Sequence, residues 1–392
     1  MKDSIIIEDD IVNNNTVHYD IKRDAGDYRK ILVVLTGGTI GSVVIDNTID
    51  TDDKSTYILI KAYEEQYGQN AIFKVEQPYN TLSENITLEV WNALVDYLSK
   101  VKASEYKGII ITHGTDTCSY TAALLGTLYK GMNMDIPIVL VSSNYAIGEQ
   151  GSNGLSNFAN AVWFIEQSVN TASIKPDVYS VYENGDGVSE IFRGVEFQEA
   201  DTCVDQFSAY GGQVYGTMVD GVFHHNERHV DRCEPLSEVA AYMNSGKCNQ
   251  VLHADDKSAN KNGILGDIRF TMDVLMIKNY PGLNYDYICN FELIREQGEK
   301  ANRRLAAVIH NMYHSATSCV KCDRSNSFVE FGNRCRDNGI NVYACGFKKN
   351  LENEYASMHE LDDSGIKRLY DMSPEAAYAN VLIAEHITCR EN

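Results

Sequence analysis

Two short segments concentrate residue types from which acyl-transfer chemistry could be built. The first is LTGGTIGS, Leu35–Ser42, where an apolar run enters Thr36, Gly37, Gly38, Thr39 and Gly41. Adjacent glycines let a backbone turn tightly and leave N–H groups free to face a ligand. The second is IIITHGTDT, Ile109–Thr117, which carries an apolar run into His113, Gly114, Thr115, Asp116 and Thr117. Hydroxyls, a carboxylate and free backbone donors supply a nucleophile, a group to orient or activate it, and donors for an oxyanion. A glycine turn after a strand also invites a dinucleotide reading. That fingerprint needs GxGxxG opening directly into a helix. Here the spacing is GGxxG, Val43–Asn47 reads as strand or loop, and no GK[ST] is present. Local sequence alone leaves two plainer alternatives open: a tight turn with an incidental threonine, and an Asp116 that only caps the next helix.

Other polar clusters carry less. In FHHNERH, His225 and His229 would share a helix face as a metal pair, but a solvated loop is the favoured reading for His224, His225 and His229. His310 and His314 flank a strand end and are read as a surface loop or the rim of a site. Cys319 and Cys322 form a CxxC, with Cys335 and Cys345 further on, at a spacing that fits neither a zinc ribbon nor a finger. The ten cysteines are read as reduced thiols of a cytoplasmic protein, since Met1–Asp10 lacks the pattern of a secretory leader. No metal and no organic cofactor are expected.

The elements that must hold the two segments are legible from periodicity. Ile31–Leu35, Ala71–Val75, Gly108–Thr112 and Ile136–Val141 read as buried strands. Helices are expected over 55–67, from Thr87 to about Lys100, over 119–129 and over 154–166. That alternation predicts an α/β fold: a parallel sheet with helices on both faces. Ligands in such sheets sit outside the carboxyl ends of the strands, where both motifs fall. Residues 170–235 break into shorter strand-like runs. The reading divides the chain into a polar extension (1–28), an N-terminal domain (29–243), a linker (244–263) and a smaller α/β C-terminal domain (264–392). The last domain has strands near 274–277, 305–309 and 340–343 and helices near 292–301 and 328–336. A final helix is announced by Ser373, Pro374 and Glu375.

Composition narrows the function classes. The chain has 392 residues, too many for one ordinary core. Lys and Arg total 34 against 55 Asp and Glu, a formal charge of -21. Such a surface repels phosphate backbones and anionic lipid, so neither nucleic acid nor membrane is an expected partner.

The TGGTIG at Thr36–Gly41 and the HGTDT at His113–Thr117 resemble the two signature motifs of the bacterial L-asparaginase/glutaminase family. NYPGL at Asn279–Leu283 and MSPEAAYA at Met372–Ala379 look like its cytoplasmic type I branch. The resemblance implies that Thr39 is the primary nucleophile and that Thr115 and Asp116 belong to a second Thr–Lys–Asp set. It implies that Asp116 holds a substrate α-amino group, Ser83 the α-carboxylate, and Glu84 a further contact. Gly38 and Gly114 would bind substrate as well, and Ser142 and Ser143 would line the amide pocket, Ser143 in contact with substrate. It implies hydrolysis of L-asparagine to L-aspartate and ammonia, with a small amino acid as ligand and a homodimer or homotetramer as assembly. The alternative is a relative that binds an amino acid or regulates a partner without turnover. Three departures bear on that choice. Glu199 stands where the family lysine is expected in Arg193–Glu199, no tyrosine follows the first motif until Tyr57, and Asn153 replaces an aspartate.

Overall fold

The computed structural model describes residues 29–38, 40, 55–68, 71–245, 268–349, 353 and 355–391, with the strands Tyr19–Asp20, Val43–Ile45 and Thr48–Asp50. These residues divide into two compact units, one extending to Val230 and including Ile268, and one formed by Asp231–Ser245 with Arg269–Asn392. The linker expected at 244–263 lies, from 246 on, outside the described residues.

The strands of the first unit, in chain order, are β1 (Tyr19–Asp20), β2 (Lys30–Leu35), β3 (Val43–Ile45), β4 (Thr48–Asp50), β5 (Phe73–Glu76), β6 (Tyr106–Thr112), β7 (Ile138–Val141) and β8 (Val178–Glu183). They continue with β9 (Ser189–Arg193), β10 (Phe197–Gln198), β11 (Ser208–Ala209), β12 (Gly216–Val219) and β13 (Val222–His225). Its helices are α1 (Ser55–Tyr67), α2 (Leu88–Ser99), α3 (Thr115–Leu128) and α4 (Gly154–Ser168). Among the described residues nine strands form one sheet, ordered β1-β5-β2-β6-β7-β8-β9-β12-β13. From β5 to β8 every pairing is parallel, while β1, β9, β12 and β13 add antiparallel margins.

The apolar run ILVVL becomes β2 because it is covered on both faces. Ile31, Val33 and Leu35 join a core with Leu59 and Tyr63 of α1 and Phe158 and Ile165 of α4. Leu32 and Val34 are equally buried but point to the opposite face, as the period of a strand requires. The expected α/β class with a largely parallel sheet is therefore what the chain forms. One boundary differs: α3 starts at Thr115 rather than 119, so the second motif is itself the first turn of a helix.

The second unit holds α5 (Ser237–Asn244), α6 (Phe291–Ala301), α7 (Phe328–Asp337) and α8 (Pro374–Glu391) around four parallel strands. These are β14 (Met272–Lys278), β15 (Arg304–Asn311), β16 (Asn341–Phe347) and β17 (Lys367–Tyr370), in that order. Helix α5 packs on α8, which places 231–243 with this unit although the sequence reading carried the first domain to 243. Ser373 caps α8 as its sequence announced, its Oγ accepting from the Ala376 N–H at 3.1 Å. The free thiols expected at the CxxC are replaced by a Cys319–Cys322 disulfide. Among the described residues no helix is long and apolar enough to cross a membrane.

Candidate active site

Strands β2 and β6 are parallel neighbours, and their last paired residues are Leu35 and Thr112. Both chemistry-bearing segments therefore leave the same carboxyl edge side by side. Beyond the last pair, the Thr36 hydroxyl donates to the Thr112 carbonyl at 2.5 Å. The Thr81 N–H donates to the Thr36 carbonyl at 3.0 Å, and the His113 N–H to that of Val141 at 2.9 Å. Strand exits that would otherwise splay are thus tied together by the Thr36 hydroxyl and by their own backbone groups.

The glycines permit an approach that side chains would block. Gly37 and Gly38 have φ of 103° and 83°, in the left-handed region. A Cβ on Gly38 would lie 2.3 Å from the Gly114 nitrogen, and one on Gly37 2.2 Å from the Thr81 oxygen. A Cβ on Gly114 would lie 2.5 Å from Ser83 Oγ. Three segments, after β2, after β5 and after β6, meet backbone to backbone. Thr39 follows Gly38 in the chain, but it lies outside the described residues, as do Gly41, Ser42 and the loop leading to α1.

Ser83 opens a short 3-10 turn, Ser83–Asn85, and is buried; Glu84, beside it, is exposed. Ser83 Oγ donates to Asp116 Oδ2 at 3.0 Å, and the Thr117 hydroxyl donates to the Ser83 carbonyl at 2.9 Å. Asp116 is exposed and stands in the first turn of α3, where the positive end of the helix favours a carboxylate. Gly114 is the N-cap and has no side chain to occupy the first-turn N–H groups. This edge therefore presents a carboxylate, two hydroxyls and a helix N-terminus. The arrangement suits a small zwitterion with an amine, a carboxylate and a polarisable carbonyl.

Sequence reasoning gave His113 no role, yet it sits under this edge. Its Nδ1 is 2.8 Å from the Gly114 carbonyl, and its Nε2 is 2.9 Å from Thr121 Oγ1. A carbonyl can only accept, so Nδ1 carries the proton and Nε2 accepts from the Thr121 hydroxyl. Trp91 Nε1 donates to that same hydroxyl at 3.0 Å. Burial pushes the imidazole below the usual histidine range, so the ring is neutral and the tautomer is set. It holds the Gly114 carbonyl away from the edge. Tyr79 was missed as well; its hydroxyl is buried beside Thr36, and burial raises its pKa. The only sequence signals were that His113 opens the HGTDT motif and that Tyr79 lies four residues before Ser83.

Other expected residues are engaged elsewhere. The Ser143 hydroxyl donates to the Tyr145 carbonyl at 2.5 Å and lies 3.1 Å from Ser152 Oγ, tying down the loop that leads to α4. Ser142 Oγ is buried near Cys118, whose thiol is pushed up to about 12 by burial. Asn153 bridges Asn144 N and the Glu183 carbonyl, at 3.0 and 2.8 Å. Glu199 is exposed just after β10, in a segment that runs beside α3. A Cβ on Gly194 of that segment would be 2.8 Å from the Ala122 oxygen of α3. The helix imagined for His225 and His229 is instead a hairpin and turn. His225 ends β13, and His229 is no solvated residue: its Nε2 lies 2.7 Å from the buried Glu196 carboxylate. His310 is a core residue, bonded to the Tyr285 hydroxyl at 2.8 Å and held neutral by burial, with a pKa lowered to about 4.

Comparison with known proteins bears on the fold and the family. Over 91% of the chain and 93% of its own length, the thermostable L-asparaginase from Thermococcus kodakarensis superposes with a TM-score of 0.64 at 20% identity. L-asparaginase I from Vibrio cholerae gives 0.64 at 19% identity, over 92% of this chain and 96% of its own. At such identities the likeness speaks for the fold. Among curated sequences, a glutamyl-tRNA(Gln) amidotransferase subunit of Sulfurisphaera tokodaii is 24% identical over 364 residues. That match covers 90% of this chain and 70% of the relative. The corresponding amidotransferase subunit of Aeropyrum pernix is also 24% identical, over 90% and 73%. The family model for the N-terminal asparaginase domain matches residues 30–230, just over half of the sequence and the whole edge built from β2 and β6, so the chain belongs to the asparaginase family.

Proposed function

We propose that this chain hydrolyses the side-chain amide of a small amino acid, with L-asparagine as the favoured substrate. The observation that carries the reading is the Ser83–Asp116 hydrogen bond of 3.0 Å, formed beside the Gly38–Gly114 approach. In this reading Asp116 takes the α-amino group and Ser83 turns its hydroxyl to the α-carboxylate. Anchoring both ends of a small substrate orients its amide and supplies much of the rate gain. Thr39 attacks the amide carbon with its hydroxyl oxygen, and first-turn N–H groups of α3 stabilise the oxyanion. The hydroxyl proton passes to the departing nitrogen, ammonia leaves, and water cleaves the resulting ester to free aspartate and Thr39. Thr115 and Glu84 are assigned supporting contacts.

A second reading has its own support. Glu199 puts an exposed carboxylate where the family resemblance implies a lysine, and a carboxylate would oppose rather than assist Asp116. In that reading the chain binds an amino acid without turnover. The amidotransferase subunits among its relatives add a third possibility, glutamine as the amide donor within an assembly. With a formal charge of -21, the partner in such an assembly would be a protein rather than RNA. The homodimer or homotetramer remains the assembly proposed for the chain alone, checked by light scattering.

Ammonia release from L-asparagine and L-glutamine, with Thr39→Ala as control, separates these readings. Turnover lost in Thr39→Ala supports hydrolysis. Absence of turnover together with a melting temperature raised by asparagine or aspartate selects the binding-only reading. A methylene is worth ~1–3 kcal/mol in a pocket, so the two amides should differ by about 10- to 200-fold.

A further inference from the structure

The second unit carries a sulfur pair for which amide hydrolysis has no use. Cys319 and Cys322 lie in the connection from β15 to α7 and are bonded to each other, with their Cα atoms 6.5 Å apart. That separation is within the span of a disulfide. Both residues are exposed. Of the free cysteines among the described residues, Cys118, Cys233, Cys335 and Cys345 are buried.

The backbone around the pair is held from beneath. Val320, between the two cysteines, is buried in the core of this unit. The Ser327 hydroxyl donates to the Val320 carbonyl at 3.1 Å, and the Phe328 N–H donates to the Cys319 carbonyl at 2.8 Å. The two sulfur-bearing residues are therefore presented at the surface by a fixed segment. Upstream, the same connection folds into a turn in which the Tyr313 N–H donates to the Thr317 carbonyl at 3.1 Å. His314, Ser315 and Ala316 of that turn line a cavity of about 190 Å³, opposite Phe347, Tyr355 and Met358.

We propose that Cys319 and Cys322 form a reversible thiol–disulfide site, closed by low-molecular-weight disulfides and opened by low-molecular-weight thiols, whose closure stiffens the connection that walls this cavity. Exposed disulfides are open to attack by external thiolates. A bond between residues this close in sequence removes little chain entropy, so it gains little protection from the fold. Closure starts when one cysteine thiolate attacks a sulfur of the external disulfide, forming a mixed disulfide and releasing one thiolate. The second cysteine thiolate then attacks the protein sulfur of that mixed disulfide and releases the other. The protein dithiol is oxidised by two electrons, the external disulfide is reduced to two thiols, and the two cysteine protons end on those thiols. Because the partners are held in place, the second attack is intramolecular and the mixed disulfide is short-lived.

The test equilibrates the full chain in buffers of varied oxidised and reduced glutathione. Acid quenching, alkylation with a mass-tagged maleimide and peptide mapping then report each cysteine. The expected result is that Cys319 and Cys322 lose their tags together in one transition and regain them when the buffer is made reducing. Cys322→Ser should stop at a glutathione adduct on Cys319. Limited proteolysis of 312–327 should be slower in the oxidised chain, and C319S/C322S should lose that redox dependence while keeping its melting temperature. A pair that stays tagged in every buffer, a disulfide that glutathione never opens, or zinc retained by the reduced chain would each overturn the site. Proteolysis that ignores the redox state would overturn the stiffening. None of these readouts depends on amide hydrolysis.

Discussion

The carboxyl edge of β2 and β6 and the carboxyl edge of β15 and β16 are the same kind of place. Each is formed by adjacent central strands of a parallel sheet, and the final pairs are Leu35 with Thr112 and Asn311 with Cys345. They are used differently. At the first edge, glycines bring three backbone segments together and leave Asp116 accessible over a helix N-terminus. At the second, His310, one residue before the final pair, is fully buried and packed at a tilt against Phe328 with ring centroids 4.2 Å apart. Beyond it the chain opens into a cavity and an exposed disulfide. Topology therefore offers a crevice at every such edge. Glycine and first-turn chemistry decide whether the crevice can hold a charged substrate.

The two edges part most visibly at Gly38. Gly38→Ala places a methyl group against the Gly114 nitrogen in a backbone region that L-residues avoid. It should abolish activity and lower stability by about 3–5 kcal/mol, measured by ammonia release and denaturant melts. Asp116→Ala should lower stability by about 1–2 kcal/mol, because the buried Ser83 hydroxyl loses its acceptor, and reduce turnover by roughly a thousandfold, about 4 kcal/mol of barrier; Ser83→Ala should cost less turnover, about 10- to 100-fold. An Asp116→Ala enzyme with normal kcat would show that the first edge is packing alone.

At the second edge the effect should appear in stability rather than rate. His310 is neutral in the folded chain down to a pKa of about 4, whereas an unfolded histidine titrates near ~6.5. Between those values the unfolded state binds the extra proton, so stability falls as pH drops from about 6.5 to about 4, by up to ~3 kcal/mol. Denaturant melts at pH 7 and pH 4.5 should show a smaller difference in His310→Gln than in the parent. The finest adjustment is Glu199→Lys. Restoring a cation beside α3 should raise turnover by about tenfold, on the order of 1.4 kcal/mol. Unchanged turnover would mean that this segment does not serve Thr115 and Asp116.

Much of the scaffold was readable because burial on both faces leaves a continuous apolar run, as in Ile31–Leu35 and Ile109–Ile111. The margins were not. Val219 and Val222 are about half exposed on a hairpin whose Asp220–Gly221 turn has φ of 49° and 76°, so the pattern beside that signal is too polar to mark strands. Strand β17 buries only Leu369. The start of α3 was misplaced because Thr115, Asp116 and Thr117 read as loop formers. Their helix depends on a bare Gly114 cap that local propensity does not announce. The site's pairings were hidden for another reason. Ser83 and Asp116, and Glu196 and His229, meet across 33 residues of sequence, a distance no periodicity spans. The family resemblance singled out Ser83 and Asp116; it did not single out His113, Thr121 or Glu196.

The bond from the His113 N–H to the Val141 carbonyl has a consequence for how the molecule is made. On a ribosome, Thr36, Gly37 and Gly38 emerge before either neighbour of β2: β5 follows first, β6 next, and β6 has no partner on its far side until β7 has emerged. The glycine turn must wait through roughly a hundred further residues of synthesis, at ~5–20 residues per second, before its surroundings exist. An edge whose glycine turn is translated before the strands beside it is thus completed only after those strands exist.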